Sequence, residues 1–367
     1  MRYLILIVSF FMTLSCTNNS TFNGTEKICR DIDLLFNSQY PSNEPGASVL
    51  ILREDSVIFS KGYGVADMSS GLTIDENTFF NIASVSKQFS AVAVLMLAEE
   101  GKLSLDDNLK KWFPNFQADF FNDIKISHLL SHTSGIPDSR DRSDREFVRK
   151  ATDVESYSYI QKLDSLNFEP GSNYEYMNPT FQLMYSIIEM ASGLPFETFM
   201  KERIFKPSGM DETLYFEEGR FIPRMAHGYL QNNKTKIFEE FDYGEESFFA
   251  TKADGGIYTS VIEFVNWEKS LRKNILISEK MTKDAQSPKI AIKEIKDNYY
   301  GYGWFIEKKE DYPTKIYHTG DNGGFQIYAA RYPEQKILIL IFSNRNDKNR
   351  EENSKRIDEI LKKAGWL

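Results

Sequence analysis

The sequence predicts an α/β (α+β) fold, in which helices flank a mainly antiparallel sheet and a mostly helical subdomain is inserted. Two observations predict it. Strand-like runs occur near both ends of the chain, and the segment between them has the apolar spacing of helices. The 367 residues are enough for a large core, and no repeat or low-complexity linker divides them. We therefore expect residues 26–105 and 247–367 to form one split α/β domain, with residues 106–246 inserted into it.

The N-terminal residues predict export. Met1–Ser15 has Arg2 as its only charge, is otherwise mostly apolar, and is short for a membrane span, which is typical of a signal peptide. The segment ends at Cys16 in a pattern that resembles a bacterial lipoprotein signal, with a threonine where an aliphatic residue is usual. We expect lipidation of Cys16, a membrane anchor in the cell envelope, and a flexible tether over residues 16–25. A plain cleaved signal and a retained anchor are the alternatives.

The first predicted elements are a helix and a strand hairpin. Glu26–Asn37 has apolar residues at helical spacing and predicts an amphipathic helix. Cys29 follows this apolar pattern. Because a lipidated Cys16 leaves no second thiol, we expect Cys29 to pack in the core rather than form a disulfide. Ala47–Arg53 and Val57–Gly64 flank a polar turn and predict two paired strands.

The remaining elements change from helical to strand patterns along the chain. The middle of the chain predicts helices at Ile126–Ser131, Arg145–Leu166, Phe181–Ala191 and Pro195–Ile204. Strand patterns return at Gly303–Lys308, Lys315–Thr319, Phe325–Tyr332 and Lys336–Ser343. A final helix is predicted at about Glu351–Ala364.

The charge of the chain argues against nucleic acid as a partner. The formal net charge is -9, and the lysines are scattered rather than gathered into a basic block. A small-molecule or peptide substrate is therefore a better expectation than DNA or RNA.

A serine and a lysine at the start of one predicted helix are candidate catalytic groups. The helix covers about Ser84–Glu100 and ends before Gly101, where a left-handed residue is expected. Ser84 and Lys87 are three residues apart and share one face of it. An amine can take the proton of a serine hydroxyl where burial or a nearby cation lowers the pKa of the amine. Taken alone, the same spacing is equally typical of a solvated surface pair.

Two later stretches supply further polar groups for a site. Tyr176 and Asn178 are two residues apart on a predicted loop, so a phenol and a carboxamide can point into one cleft. His318-Thr319-Gly320 ends a predicted strand and is followed by Asp321. A strand edge can pair with an extended substrate and donate a backbone N–H to its carbonyl oxygen.

These three motifs, in this order, resemble those of the penicillin-recognising serine hydrolases, and most closely the branch of class C β-lactamases, DD-carboxypeptidases and related esterases. The resemblance implies a β-lactamase/transpeptidase-like fold and covers about Gly46 to Asn344. Further stretches similar to family segments are Ile126–Pro137, Ser186–Gly193, Lys206–Thr213, Ala253–Ser260 and Gly301–Trp304.

The resemblance implies a role for each motif residue. Ser84 is the expected nucleophile, Lys87 assists its deprotonation, and Tyr176 shuttles the proton. Asn178 is expected to hydrogen-bond Lys87 and the substrate amide. The backbone N–H groups of Ser84 and Asp321 are expected to form the oxyanion hole.

The chain departs from the common pattern at two positions of the strand motif. His318 stands where many β-lactamases have lysine, so we expect a pH limb between roughly 6 and 7.5 from its imidazole. Thr319 and Gly320 match the motif and are expected to bind substrate. Asp321 stands where many members have a small or hydroxyl residue, and its charge is expected to repel a substrate carboxylate. Both departures disfavour an efficient β-lactamase.

Three alternative interpretations of single residues are weaker. His128 and His132 have the spacing of zinc ligands on a helix, but no glutamate follows His128, and the resemblance makes both structural. Tyr174 competes with Tyr176 but does not fit the motif, so we expect it to pack. The chain has no Gly-x-Ser-x-Gly pentapeptide, which disfavours an α/β-hydrolase.

Together these observations predict an exported serine hydrolase that forms an acyl-enzyme with an amide, ester or lactam and uses no metal or organic cofactor. A peptidase or esterase is favoured over a true β-lactamase. A protein that binds or senses penicillin without turnover is the alternative of a different class. Specificity is expected to depend on the loops Asp138–Asp144 and Gln231–Glu246.

Overall fold

The computed structural model describes residues 19–138, 151–217, 221–241, 251–346 and 350–367. Met1–Ser15, Cys16 and most of the loop 138–144 therefore lie outside the described residues, as do residues 242–246 of the second loop. The predicted fold class is confirmed, because one large antiparallel sheet has helices on both of its faces.

The strands are, in chain order, β1 Ala47–Arg53, β2 Ser56–Tyr63, β3 Val65–Asp67, β4 Leu72–Thr73, β5 Phe80–Asn81, β6 Leu214–Tyr215, β7 Tyr229–Gln231, β8 Phe238–Glu240, β9 Ile257–Thr259, β10 Ile290–Ala291, β11 Asn298–Tyr300, β12 Phe305–Glu307, β13 Lys315–Asn322, β14 Phe325–Tyr332 and β15 Ile337–Ser343. The main sheet has the order β10-β11-β12-β13-β14-β15-β1-β2, and each neighbouring pair is antiparallel. The N-terminal hairpin β1–β2 therefore joins the C-terminal strands through β15.

The helices are α1 Asn19–Asn37, α2 Lys87–Glu99, α3 Leu109–Trp112, α4 Ile126–Leu130, α5 Asp153–Ile160, α6 Asn178–Ser192, α7 Phe196–Phe199, α8 Lys206–Ser208, α9 Val261–Arg272, α10 Glu279–Ala285 and α11 Arg350–Lys363. A π-helical turn, Met200–Phe205, joins α7 to α8. In the described part of the chain, none of the helices combines the length and apolarity that crossing a membrane requires.

Several element bounds differ from those predicted. α1 begins at Asn19, before the predicted start, and the predicted helix Arg145–Leu166 is observed only as α5, with residues 145–150 outside the described part. The left-handed residue after α2 is confirmed, since Gly101 has φ +70°.

Alternate residues of β1 enter two separate cores, as the two-residue period of a strand requires. Leu50 and Leu52 pack with α2 and α9 on one face of the sheet. Val49 and Ile51 pack with α1 and α11 on the other face. Cys29 contacts this second core, and its Sγ lies 3.3 Å from the carbonyl oxygen of Ile58, in agreement with a packing role.

A buried ion pair joins α9 to the main sheet. Glu268 is 2% exposed, and its Oε1 accepts a hydrogen bond of 3.2 Å from Nη2 of Arg331 on β14. Arg331 also donates from Nη1 to Gln286 at 2.7 Å. Burial raises the pKa of Glu268, although Arg331 and Arg272 oppose the rise. The pair holds α9 against the main sheet.

We expect Glu268→Ala to lower the free energy of unfolding by about 3–5 kcal/mol, because it leaves the Arg331 guanidinium buried without its carboxylate. Urea unfolding followed by circular dichroism measures the change. Glu202→Ala, which removes an exposed carboxylate paired with Lys206, is the control and should cost little. A Glu268→Ala loss as small as the control's would contradict the assigned role.

Candidate active site

The site is built around a strained turn before α2. Ser84 lies in a 3₁₀ turn, Ala83–Ser86, so the α-helix begins at Lys87 rather than at Ser84 as predicted. Ala83 has φ +47°, a left-handed conformation that costs an L-residue roughly 1–2 kcal/mol. Its N–H donates to Oδ1 of Asn81 at 2.8 Å, which holds the turn in this conformation.

The Lys87 side chain is fully buried, and hydrogen bonds from three parts of the chain fix its amine. Nζ donates to Oγ of Ser84 at 2.9 Å, to Oδ1 of Asn178 at 2.7 Å and to the carbonyl oxygen of Asp254 at 2.8 Å. Ser84 itself is half-buried. The structure therefore brings three of the predicted site residues and one residue that sequence reasoning missed into direct contact.

Asn178 is positioned by the start of α6. It is the first residue of the helix, and the preceding Met177 N–H donates to Nδ1 of His132 at 3.1 Å. Thr180 Oγ1 lies 3.2 Å from the same nitrogen. His132 thus holds the backbone between Tyr176 and Asn178, a role its sequence position did not reveal.

Tyr176 lies among aromatic rings beside the lysine. The centroid of its ring is 5.2 Å from Lys87 Nζ and 4.3 Å from the His132 ring, and it stacks on Phe305 at 6.0 Å. Tyr174 packs against Tyr300 with a centroid distance of 5.7 Å, in keeping with the predicted packing role. The phenol of the motif is therefore the one held next to the amine.

His318 is a neutral residue, and the predicted pH limb is wrong. Its Nδ1–H donates to the carbonyl oxygen of Thr319 at 2.7 Å, and its Nε2 lies 3.1 Å from the Tyr300 hydroxyl oxygen. Burial and the nearby Lys87 lower the pKa of His318 to about 3. With this pKa, an imidazole that is 1% exposed stays neutral between pH 6 and 7.5 and accepts at Nε2 from Tyr300.

Gly320 is required by a close approach between β13 and the turn that carries Ser84. A Cβ on Gly320 would lie 2.4 Å from the carbonyl oxygen of Ile82 and 3.0 Å from the Cβ of Ala83. β12 pairs with β13 only over Lys315–Tyr317, so the following residues of β13 lie beside Ser84 without that neighbour. An extended substrate could pair with the part of β13 that β12 does not reach.

Asp321 follows Gly320 on the strand and forms an ion pair with Arg350 at the start of α11. Nη1 of Arg350 is 2.8 Å from Oδ2 of Asp321 and 2.9 Å from the carbonyl oxygen of Gly320. Nη2 of Arg350 contacts Oε1 of Glu351 at 2.6 Å. One guanidinium, that of Arg350, therefore forms ion pairs with two carboxylates. The sequence did not indicate that Arg350 contacts the motif strand.

The segment 252–254, which gives Lys87 its third acceptor, is itself held by buried polar groups. Asp153, the first residue of α5, accepts hydrogen bonds from Lys252 N–H at 2.6 Å and Ala253 N–H at 3.1 Å. Ser90 Oγ, one turn along α2 from Lys87, donates to the carbonyl oxygen of Ala253 at 2.6 Å. No motif marked Asp153, which lay inside a predicted helix.

The two histidines with zinc-like spacing are not on one helix. α4 ends at Leu130, and His132 has φ +56°. His128 Nδ1 accepts from Lys125 N–H at 3.2 Å, whereas His132 holds Met177. Within the described residues, no group of three or more His, Cys, Asp or Glu side chains is placed to hold a metal ion.

Comparison with known proteins gives relatives along most of the chain. A penicillin-binding protein of Bacillus subtilis strain 168 is 26% identical over 347 residues, which are 91% of this chain and 75% of that protein. Protein flp of Staphylococcus aureus strain MRSA252 is 27% identical over 306 residues, or 82% of this chain, and the match spans 60% of its length.

The solved structures agree with the sequence matches. The crystal structure of a penicillin-binding protein from Bacillus halodurans has a TM-score of 0.78 and 25% identity, and it covers 94% of this chain and 100% of that one. The family model described as Beta-lactamase matches residues 38–362. The resemblance drawn from the motifs is thus confirmed, and the chain belongs to the beta-lactamase family of serine hydrolases.

Proposed function

We propose that the protein hydrolyses an amide or ester through an acyl-enzyme on Ser84, with a β-lactam as a poorer substrate. The observation that carries this proposal is the 2.9 Å hydrogen bond between buried Lys87 Nζ and half-buried Ser84 Oγ. A neutral Lys87 amine, with its two N–H groups on Asn178 and Asp254, would direct its lone pair to the Ser84 hydroxyl and take the proton as the oxygen attacks a carbonyl carbon. The amine is in turn fixed by acceptors that leave it little freedom to turn away.

The proposed reaction has two steps. In the first, Ser84 Oγ bonds to the carbonyl carbon, its proton passes to Lys87 and through Tyr176 to the leaving amine or alcohol, and the C–N or C–O bond breaks. In the second, water adds to the acyl-enzyme, the bond to Ser84 breaks, and the acid leaves as Ser84 regains its proton.

Substrate binding is assigned to the strand motif and to Asn178. We assign the N–H groups of Ser84 and Asp321 to the carbonyl oxygen, where they would stabilise the charge that develops on it. Thr319 and Gly320 would pair with the extended substrate, and the Asn178 amide would bind the substrate amide. The contact of Gly320 with the turn of Ser84 supports this assignment.

The location of the reaction is proposed from the sequence alone. Met1–Ser15 would direct export and Cys16 would carry the lipid, which would anchor the enzyme to a membrane of the cell envelope. The substrate would then be a small molecule or peptide outside the cytoplasm.

We expect Ser84→Ala to abolish the covalent adduct with an aryl ester, and Lys87→Ala to slow its formation by about 10²–10⁴-fold, because the serine then lacks its proton acceptor. Intact-mass spectrometry and ester hydrolysis give the two measurements. Lys111→Ala, an exposed lysine paired with Asp107, is the control and should react as the wild type does. An adduct that survives in Ser84→Ala would contradict the proposed nucleophile.

The same time course with a simple penicillin separates this proposal from the two other functions. A slowly hydrolysed adduct on Ser84 supports a peptidase- or esterase-like site. Rapid penicillin hydrolysis identifies a β-lactamase instead. An adduct that is never released, with no turnover of any ester or amide, identifies a binding or sensing protein.

We expect the pH profile of acylation to have the same shape in the wild type and in His318→Asn between about pH 5.5 and 8. His318 has a pKa of about 3 in the folded protein, so it stays neutral throughout this range. Stopped-flow burst kinetics with an aryl ester measure the profile. A limb near pH 6.5 that disappears in His318→Asn would show that the imidazole titrates after all.

The same pKa shift has a consequence for stability. An unfolded histidine takes up a proton below about pH 6.5, whereas folded His318 does not until about pH 3, so the free energy of unfolding falls as pH drops through this window. The loss is up to about 1.4 kcal/mol per pH unit for one histidine, and His318→Asn should reduce this slope.

Asp321 is expected to select against a free carboxylate on the leaving group. We predict that the wild type cleaves a C-terminally amidated peptide ester faster than its free-acid twin, because Asp321 and Glu351 already pair with Arg350. The Asp321→Asn variant should discriminate less between the two substrates. The kcat/KM for the amidated ester divided by the kcat/KM for the free acid should fall at least about tenfold. That factor corresponds to about 1.4 kcal/mol.

Glu352→Gln is the matched control for Asp321→Asn, because Glu352 pairs with Arg356 on the exposed side of α11, the helix that begins at Arg350. It lowers the negative charge by the same amount without touching Arg350. An equal narrowing in both variants would mean that overall charge, and not the ion pair at the strand, sets the preference.

A further inference from the structure

A buried carboxylate lies behind the catalytic lysine, and the proposed reaction steps do not use it. Asp153 is 1% exposed and accepts the N–H groups of Lys252 and Ala253 on its two oxygens, at 2.6 and 3.1 Å. The next residue, Asp254, turns its carbonyl oxygen to Lys87 Nζ at 2.8 Å. The residue that holds the amine thus directly follows the two residues whose N–H groups Asp153 holds.

We propose that Asp153 is a positioning residue, which fixes the 252–254 segment so that the Asp254 carbonyl holds Lys87 Nζ on the hydroxyl of Ser84. This inference rests on the proposed serine-hydrolase function and adds a residue from α5 to it.

A carboxylate suits this position because the two N–H groups need two acceptors. Asp153 supplies one oxygen to each of them. An asparagine has one acceptor oxygen, so its amide nitrogen would face the second N–H group and leave it unsatisfied in the interior. Burial of an acid is costly unless its oxygens are hydrogen-bonded, and both oxygens of Asp153 are.

The other side of the segment is held by the two helices that carry the site. Ser90 on α2 donates to the Ala253 carbonyl at 2.6 Å, and Gln182 on α6 donates to Oδ2 of Asp254 at 3.3 Å. Gln182 lies one turn after Asn178, which is the second acceptor of the lysine. Side chains of α2, α5 and α6 therefore together hold residues 252–254, and Asp153 is the contribution of α5.

Asp254 is close enough to Asp153 for its carboxylate to affect the pKa of Asp153. Burial and the neighbouring carboxylate of Asp254 raise the pKa of Asp153 well above its usual range, against the effect of its two backbone hydrogen bonds.

The test compares Asp153→Ala and Asp153→Asn with the wild type in the full chain. The readouts are kcat and KM for an aryl acetate, the pH profile of the acylation burst, and the rate of labelling of Ser84 by a fluorophosphonate. We expect Asp153→Ala to lower kcat and the labelling rate at least tenfold and to move the pH profile, with KM within about twofold. Asp153→Asn should be intermediate, because it retains one acceptor.

Glu268→Ala is the matched control, since it also removes a buried carboxylate, but one on α9 that pairs with Arg331 of β14 and not with a residue of the site. Assayed at a temperature at which circular dichroism shows each variant folded, it should keep the kcat and pH profile of the wild type. If folded Asp153→Ala or, where the alanine variant does not fold, Asp153→Asn matches Glu268→Ala, the positioning role is overturned. A wild type without Ser84-dependent labelling instead overturns the proposed function, and this inference with it.

Discussion

The burial of one amine organises the structure. Lys87 is fully buried, and an amine taken out of water must find acceptors or be strongly destabilising. Its acceptors come from the turn before α2, from the start of α6 and from the segment 252–254, which are far apart in the sequence. All three segments must therefore be in position before the amine has all three of these hydrogen bonds. The requirement ties α6 and the segment 252–254 to the turn before α2, so the site depends on contacts across the fold.

The sheet supplies the rigid side of this arrangement. β13 passes so close to Ile82 and Ala83 that only glycine fits at position 320, and Ala83 is kept in a left-handed conformation by Asn81. Strain of this kind persists only where the surroundings determine it from several directions. Here the sheet, the buried helix and the hydrogen bond of Asn81 do so together. Ser84 is thereby held on a turn that does not relax into the regular helix that the sequence predicted from Ser84 onwards.

The sequence predicted what depends on short spacing and regular period. Local pattern predicted the bounds of β1 and β14, the left-handed Gly101 after α2 and the contact between Ser84 and Lys87. The structure has all of them. The frame around the site depends on contacts across the fold, such as that between Asp153 and Lys252, 99 residues apart. No periodicity encodes such a contact. The pH limb predicted for His318 was wrong for the same reason, because a reference pKa takes no account of the burial that tertiary packing imposes.

The two departures from the common motif act in the same electrostatic direction. A lysine at position 318 would place a second positive charge in the buried surroundings of Lys87, and like charges there repel strongly. His318 avoids this cost by staying neutral, held by Tyr300 and the Thr319 carbonyl. On the same strand, Asp321 pairs with the guanidinium of Arg350. Each change reduces the positive charge available to an incoming carboxylate, while the hydrogen bonds that fix Lys87 are unaffected. The proposed selection against charged leaving groups would therefore be compatible with the serine–lysine pair, because the first would depend on β13 and α11 and the second depends on α2, α6 and the segment 252–254.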